Sequence, residues 1–460
     1  MSAFLPFSGQ RVAVVGLGRA GLPAATRLRD LGAEVAAWDD DAGRRREAER
    51  AGLAIRDHGA GPMRAADALL LSPGIPHRLP APHPAAGRAA EAGVPVLCDV
   101  EFLWRASQAA RSRARFVGIT GTNGKSTTTA LLAHLLRSAG RGGVAEGGNL
   151  GPAALSLPLL ADGAYVLEMS SYMLERLSRA RFDLAALLNL SPDHLDRHGD
   201  MAGYARAKAR VFEGAGVRVL GVDDEHGRAT LADGMVPVSG EGPAPGGVWA
   251  EGGATLRDDD GPIADLRGAP ALPGAHNAQN AAAAAALGLS LGLSREEVAH
   301  GLAAFPGLPH RQERVATDAD GVAWVNDSKA TNADSAARAL ATYDRVVWIA
   351  GGVPKAGGIA PLAPLFGRVA RAVLIGQSAA DFAVTLRAAG VPHAVAGTLE
   401  AAVPMAREAA RETGAGVVLL SPAAASFDQF TGFEARGDAF RALVRSLPSP
   451  ASDPSRAAAA

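Results

Sequence analysis

Phe116-Val117-Gly118-Ile119-Thr120-Gly121-Thr122-Asn123-Gly124-Lys125-Ser126 is the stretch whose reading decides the fold of this chain. Its apolar start reads as a buried parallel strand, and a helix is expected from Ser126. Between them lies a loop with two glycines, Gly121 and Gly124, followed by Lys125. Glycines let backbone N–H groups close around phosphate oxygens, the helix N-terminus adds positive potential, and the lysine reaches the terminal phosphates. Ser126 is placed to ligate Mg²⁺. The loop is not a strict phosphate-loop consensus, because Ile119 stands where that consensus has its first glycine. A chance Gly-Lys-Ser is common; the strand before it and the helix after it are what favour phosphate binding.

Upstream, residues 11–16 read as a second buried strand, followed by Gly16, Gly18 and Gly21 in a Gly-x-Gly-x-x-Gly pattern and an amphipathic helix to about Leu31. Strands are expected at Glu34–Trp38, ending in Asp39-Asp40-Asp41, and at Ala68–Leu71, running into Ser72. This alternation predicts a doubly wound α/β region. The glycine pattern alone leaves three readings open: a nicotinamide site, a site for another nucleotide diphosphate, or a structural turn. An arginine-rich stretch around Arg105–Arg115 reads as a linker.

Downstream, strands are expected at Tyr165–Glu168, Ala185–Leu190 and Arg218–Val222, then a small β excursion over 234–272 and a packed alanine-rich helix over 278–287. Near Phe305–Pro309 the chain crosses into a third region, with strands at Ala323–Asn326, Val346–Ala350, Ala372–Ile375 and Val417–Leu420. The fold class is α/β, with three such regions in series: 1–110, 111–308 and 309–450. Residues 451–460 are read as a disordered tail, within a stretch beginning at Pro448.

Composition bounds the function. A chain of 460 residues suggests two to four domains. A net charge of −1 gives no general attraction to nucleic acid or membrane. The single cysteine, Cys98, excludes an intramolecular disulfide and reads as a small buried hydrophobe. No apolar run approaches the roughly 20 residues of a membrane span, and Met1–Gln10 lacks the order of a signal peptide. A soluble, cytoplasmic enzyme is expected. Of 46 basic residues only Lys125, Lys208, Lys329 and Lys355 are lysine. A chain that writes its cations as arginine keeps lysine where a compact point charge or a deprotonatable amine is needed.

Each lysine falls in a motif. Glu168 ends a strand beside the phosphate loop, where a Mg²⁺ ligand belongs. His194, in Asp193-His194-Leu195-Asp196-Arg197-His198, is a candidate second metal ligand, whereas His198 reads as a surface residue. Lys208 shares helical spacing with Tyr204 and Phe212. In the third region, loops carrying Asp327-Ser328-Lys329, Gly351 to Lys355 and Ser421 to Phe430 all follow strands, and together suit an anion.

In order, Gly121–Ser126, Gly147–Gly151, Leu167–Ser171, Asp193–Asp196, His276-Asn277, Gly307–Arg311, Asn326–Asn332, Ser426–Phe430 and Phe433–Gly437 resemble the bacterial Mur ligase family over essentially the whole chain. The last two strings point to its D-glutamate-adding member. The resemblance implies three domains: a Rossmann-like N-terminal one for a UDP-sugar, a phosphate-loop ATPase with a parallel sheet, and a Rossmann-like C-terminal one for glutamate. It implies ATP-dependent addition of D-glutamate to UDP-N-acetylmuramoyl-L-alanine through an acyl phosphate, a step of peptidoglycan synthesis serving cell shape and division. The cofactors implied are ATP and Mg²⁺, the partners these small molecules alone, and the chain a monomer. Gly18, Arg19, Asp39 and Ser72 would lie near the uridine diphosphate, and Asn149 at the muramoyl substrate. ATP would meet Gly121, Thr122, Asn123, Gly124, Lys125, Ser126 and Thr127, with Asn277 and Arg311 by its adenine and phosphates and Asp327 by its ribose. Ser126 and Glu168 would hold one Mg²⁺; His194 and Lys208, carbamylated, would serve a second. Lys125, His194 and Lys208 form the implied catalytic group. Lys329, Thr331, Lys355, Ser426 and Phe433 would surround glutamate.

Two positions depart from relatives: Ala-Gly-Gly follows Lys355 where an acidic residue is common, and Asp40-Asp41 stands where many relatives have a small residue and an arginine. Four rival readings are separable. A folylpolyglutamate-type ligase would lack the first glycine pattern, and a sister Mur ligase would add another amino acid. A nicotinamide dehydrogenase would change NADH fluorescence on binding, and a silent binding module would lack the metal ligands.

Overall fold

The computed structural model describes residues 4–447 apart from 62, 64 and 356. The stretch read as a disordered tail, 448–460, lies outside the described residues. The chain divides into two compact units, Met1–Pro270 with Ala275–Phe305, and Ala271–Gly274 with Pro306–Ala460.

The first unit holds two sheets. One is built from β1 (Arg11–Val15), β2 (Glu34–Trp38), β3 (Ala54–Ile55), β4 (Ala68–Leu71) and β5 (Val96–Leu97), all parallel, in the order β3-β2-β1-β4-β5. The runs Val12–Val15 and Ala68–Leu71 are wholly buried, as both faces of a parallel sheet require. The strand order reverses at β1, so a crevice opens beyond the carboxyl ends of β1 and β4. Gly16 and Ser72 stand there.

The second sheet contains β6 (Arg115–Thr120), β7 (Val144–Gly148), β8 (Ala164–Glu168), β9 (Leu184–Leu187), β10 (Val217–Gly221), β11 (Val236–Ser239), β12 (Val248–Glu251), β13 (Thr255–Asp258) and β14 (Gly261–Asp265). Its order is β14-β13-β12-β11-β10-β9-β6-β8-β7. Pairing is parallel from β7 to β12, and β13 and β14 add an antiparallel excursion, as expected over 234–272. Strand β9 is shorter than the expected Ala185–Leu190: the chain leaves the ladder after Leu187 and brings Asn189 to the phosphate loop. Helix Lys125–Ser138 buries Leu131, Leu132, Leu135 and Leu136. Helix Ala275–Ser290 packs on it and on β10–β12. Its alanines, buried from Ala281 to Ala286, leave no side chain long enough to hold these elements apart.

The arginine-rich linker is a correction. Residues 99–109 form a helix that buries Val100, Phe102, Leu103 and Ala106, and Arg115 already belongs to β6. Its one arginine, Arg105, is half-buried and donates to Glu101 at 2.8 Å, and the helix carries two buried carboxylates that join the sheets. Glu101 accepts from the amides of Ser178, Arg179 and Ala180, and Asp99 from that of Ala154 at 2.6 Å. Only 110–114 connect.

The second unit holds β15 (Glu313–Thr317), β16 (Ala323–Asn326), β17 (Val346–Gly351), β18 (Val369–Ile375), β19 (His393–Gly397) and β20 (Val417–Leu420), ordered β15-β16-β20-β17-β18-β19. All pairs are parallel except β15 with β16. The loops after β16, β17 and β20 therefore emerge side by side. Edge strands β15 and β19 were not expected: both are half-buried or exposed throughout and lack the apolar run that marks the central strands.

Candidate functional site

The phosphate loop is built as the glycines require. Gly124 caps the helix at φ 83°, where a side chain is strained, and a Cβ there would stand 2.2 Å from Asn280 Oδ1 and displace that amide. Asn123 N donates to Asn189 Oδ1 at 2.9 Å, and Thr122 Oγ1 accepts from Ser191 N at 3.0 Å. Lys125 folds back over its own loop, donating to Gly121 O at 2.9 Å and Thr122 O at 2.8 Å. Ser126 is buried and donates to Glu168 Oε2 at 2.6 Å; the other carboxylate oxygen accepts from Asn149 Nδ2 at 2.8 Å. Thr127 is half-buried in the first turn.

Lys208, from helix Met201–Ala209, is 2 % exposed. Its ammonium donates to Gly121 O at 2.8 Å and Thr120 Oγ1 at 3.3 Å and lies 4.7 Å over the Tyr204 ring. Gly121 O thus receives both lysines. Burial and then the charge of Lys125 push the Lys208 amine well below its ordinary value. His194 opens helix Leu195–His198 with φ 53°, its side chain half-exposed and Nε2 3.4 Å from Asp193. Burial, reinforced by the charges of Lys208 and Lys125, lowers its pKa. His198 is a correction: its ring is enclosed, with Nε2 2.9 Å from Ser171 Oγ and a face stacked on Tyr172. The helix turns it inward, which a loop reading of Asp193–His198 misses.

At the first sheet, Gly16, Gly18, Asp39, Asp40, Arg44, Ser72 and His83 line a cavity of about 360 Å³. Gly21 is dictated by close approach, since a Cβ would fall 1.7 Å from Gly16 O. Ser72 Oγ donates to Gly16 O at 2.9 Å. Asp39 is buried and accepts from Leu17 N at 2.6 Å and Asp41 N at 2.9 Å, with Arg44 at 3.4 Å. Burial raises its pKa, but these amides and the arginine outweigh it and hold the carboxyl below its ordinary value. Asp41 caps helix Ala42–Arg50, and Asp40 stands 3.5 Å from His83. Arg19 is exposed.

Asn277 lies buried at the start of helix Ala275–Ser290 and accepts from Asn280 Nδ2 at 3.1 Å. Asn280, which sequence reasoning passed over, also accepts from Thr128 Oγ1 at 3.2 Å. The signal was its one-turn spacing from Asn277, hidden in an alanine run.

In the second unit, Asp327 is buried and accepts from Ser421 Oγ at 2.8 Å and Gln312 N at 3.2 Å. Burial pushes its carboxyl up to about 7. Arg311 sits between His310 and Gln312, both at positive φ. Lys329 Nζ lies 3.9 Å from the Phe433 ring centre, and Thr331 N donates to Lys329 O at 2.8 Å. Ser426 is buried and Lys355 exposed. Val353 and Ala425 exchange backbone hydrogen bonds, which draws the loops after β17 and β20 together. Arg436, 1 % exposed, donates to Ser328 Oγ, Ser328 O and Ala424 O at 2.9–3.1 Å and gathers the loops after β16 and β20. Among the described residues, no helix is long and apolar enough to cross a membrane, and no cluster of three or more His, Cys, Asp or Glu could hold a metal ion by itself.

Comparison with known proteins agrees with this geometry. Residues 119–288 match the family described as Mur ligase middle domain. The chain is 50% identical over 451 residues to a UDP-N-acetylmuramoylalanine–D-glutamate ligase of Paramagnetospirillum magneticum, covering 95% of this chain and 97% of the relative. It is 47% identical to the protein of the same name from Rhizobium meliloti, covering 96% and 97%. Among solved structures, UDP-N-acetylmuramate-alanine ligase from Thermotoga maritima aligns with a TM-score of 0.60 at 19% identity, covering 95% of this chain and all of that one. A pseudomurein peptide ligase type C from Methanothermus fervidus aligns at 0.56 and 18% identity, covering 96% and 100%. Near full-length identity of this order, on a parallel sheet carrying the lysine loop, makes the chain a member of the Mur ligase family.

Proposed function

We propose that this chain joins D-glutamate to UDP-N-acetylmuramoyl-L-alanine at the expense of ATP, supplying a precursor of peptidoglycan. The observation that carries the reading is the convergence of Lys125, Lys208, Ser126 and Glu168 on one phosphate loop, in a chain about half identical to D-glutamate ligases. In this reading residues 1–110 hold the UDP-sugar, 111–308 ATP and 309–450 glutamate, in a cytoplasmic monomer.

The alanyl carboxylate attacks the γ-phosphorus, ADP leaves, and an acyl phosphate forms. The free amine of glutamate then attacks the acyl carbon, the tetrahedral adduct expels phosphate, and the nitrogen loses a proton. Two anions meet in the first step, so charge must be neutralised along the line of transfer. Lys125 exchanges its two loop carbonyls for phosphate oxygens. Asn149 orients the muramoyl end of the sugar nucleotide, and Asn277, Arg311 and Asp327 the ATP. Gly18, Arg19, Asp39 and Ser72 anchor the uridine diphosphate. Lys329, Thr331, Lys355, Ser426 and Phe433 receive glutamate, whose two carboxylates suit lysines and short hydroxyls.

The residues present fit Mg²⁺, which binds through one or two carboxylates plus phosphates and water rather than in an all-protein cage. Ser126 and Glu168 would hold one ion, and His194 with carbamylated Lys208 a second. Bound there, Mg²⁺ supplies Lewis-acid neutralisation of phosphate charge. Only a neutral amine adds to CO₂, releasing a proton and leaving an anionic carbamate, and the buried Lys208 has the lowered pKa this needs.

Phosphate release with UDP-N-acetylmuramoyl-L-alanine, ATP and either D- or L-glutamate tests the reading. Stimulation by the D-enantiomer alone is expected. Stimulation by neither, or equal stimulation by both, overturns it.

A further inference from the structure

The loop at the carboxyl end of β4 is gripped from outside its own sheet. Arg176, which follows helix Ser171–Leu174, is 1 % exposed. It donates from Nη1 to Leu71 O at 2.7 Å and Ser72 O at 2.9 Å, and from Nη2 to Ile75 O. Arg197, in helix Leu195–His198, donates to Gly74 O at 3.1 Å and Ile75 O at 3.3 Å, with its guanidinium 4.3 Å over the Tyr172 ring. Leu71, Ser72, Gly74 and Ile75 therefore all present carbonyls to guanidinium groups rooted in the second sheet's loops. Charge-assisted bonds of this kind are strong, and the planar fork fixes orientation as a lysine cannot.

Each end of this connection leads to residues assigned above to substrate or metal. The loop carries Ser72, whose hydroxyl ties it to Gly16 and so to the 360 Å³ cavity. On the other side, His194 opens the helix that holds Arg197, and Tyr172 packs against the His194 ring at 5.1 Å. A sugar nucleotide anchored at one end must present its carboxylate for in-line attack at the other. A misplacement of about 1 Å in such a geometry costs roughly 10²-fold in rate.

We propose that Arg176 and Arg197 are positioning residues that set the span between the UDP anchor and the reacting end of the site. The inference rests on the sugar-nucleotide reading of the first cavity. The arginines are not the only joint, since Asp99 and Glu101 bond the two sheets independently.

The test uses the full chain with Arg197→Met, Arg197→Lys and Arg176→Lys. Steady-state phosphate release is measured with UDP-N-acetylmuramoyl-L-alanine, D-glutamate and ATP, and binding of UDP alone by calorimetry. For Arg197→Met, kcat at saturating sugar nucleotide falls by about 10-fold or more, while KM for ATP and the affinity for UDP stay at wild-type values. Arg197→Lys falls between. Arg176→Lys loses more; should it fail to fold, the Arg197 pair decides. Unchanged kcat in Arg197→Met overturns the proposal, as does a matching loss of UDP affinity or a shifted KM for ATP, either of which marks pocket shaping or general damage. A wild-type chain that ignores this sugar nucleotide overturns the underlying reading and the positioning role with it. An active wild type with indifferent variants overturns the positioning role alone.

Discussion

The two glycine loops, after β1 and after β6, start from the same plan and end with opposite electrostatics. Each follows a buried parallel strand and leads into a helix, with glycine where the chain must turn left-handed or pack closely. In the first, Asp39 occupies the amide of Leu17, and no lysine is present. In the second, Lys125 and Lys208 both reach Gly121 O, and a Ser126–Glu168 pair stands beside them. A loop that gives an amide to a carboxylate suits an anchor whose charge does not change during reaction. A loop crowded with cations suits charge that moves. The backbone motif sets where phosphate can lie; the side chains around it decide whether chemistry happens there.

The comparison breaks most visibly at the lysines. Lys125→Ala should lower phosphate release by roughly 10²-fold or more, from the loss of one preorganised cation, while UDP affinity measured by calorimetry stays unchanged. Lys208→Arg should be as inactive, since guanidinium forms no carbamate, whereas Lys208→Ala should regain part of its activity with acetate. Full activity in the arginine variant would remove the carbamate from the scheme.

The first loop is tested by Gly21→Ala. Its Cβ would meet Gly16 O at 1.7 Å, so overpacking should cost about 1–3 kcal/mol in denaturant unfolding and weaken UDP binding, with KM for ATP unaffected. Asp39→Ala should cost UDP affinity by about 10-fold, in line with one hydrogen bond to a charged group.

The smallest effect separates two buried aspartates. Asp39 is held below its ordinary pKa, so its contribution to stability is present at neutral pH and is lost as pH falls through the folded value. Asp327 titrates near 7 in the folded chain, above its ordinary 3.8. Between these values the folded state holds a proton that the unfolded state has lost, so stability should fall as pH rises from about 4 to 7. Thermal melts of Asp327→Asn should show a flatter slope across that window; an unchanged slope would assign the titration elsewhere.

Much of this was legible because central parallel strands are continuous apolar runs. Strands β1, β2, β4, β6, β8, β16, β17 and β20 all fall where the sequence places them, and the loops at their carboxyl ends carry the motif residues. What escaped shares a cause. Sequence reasoning passed over Arg176 and took in Arg436 only within the string Phe433–Gly437; each is buried among backbone carbonyls, and carbonyl positions are set by the fold and not by neighbours in sequence. His198 and Glu101 were hidden by helix faces that alternate inward and outward. Edge strands β15 and β19, partly open to solvent, need no strong apolar signature.

The placement of the four lysines has a practical consequence for chemical modification. Lys355 is exposed, Lys125 and Lys329 are half-buried, and Lys208 is enclosed. An amine-directed reagent therefore meets side-chain targets in a graded order, each inside a motif, on a surface whose other cations are arginines inert to it. Labelling this chain amounts to a footprint of its nucleotide loop and acceptor loops, with almost no background to subtract.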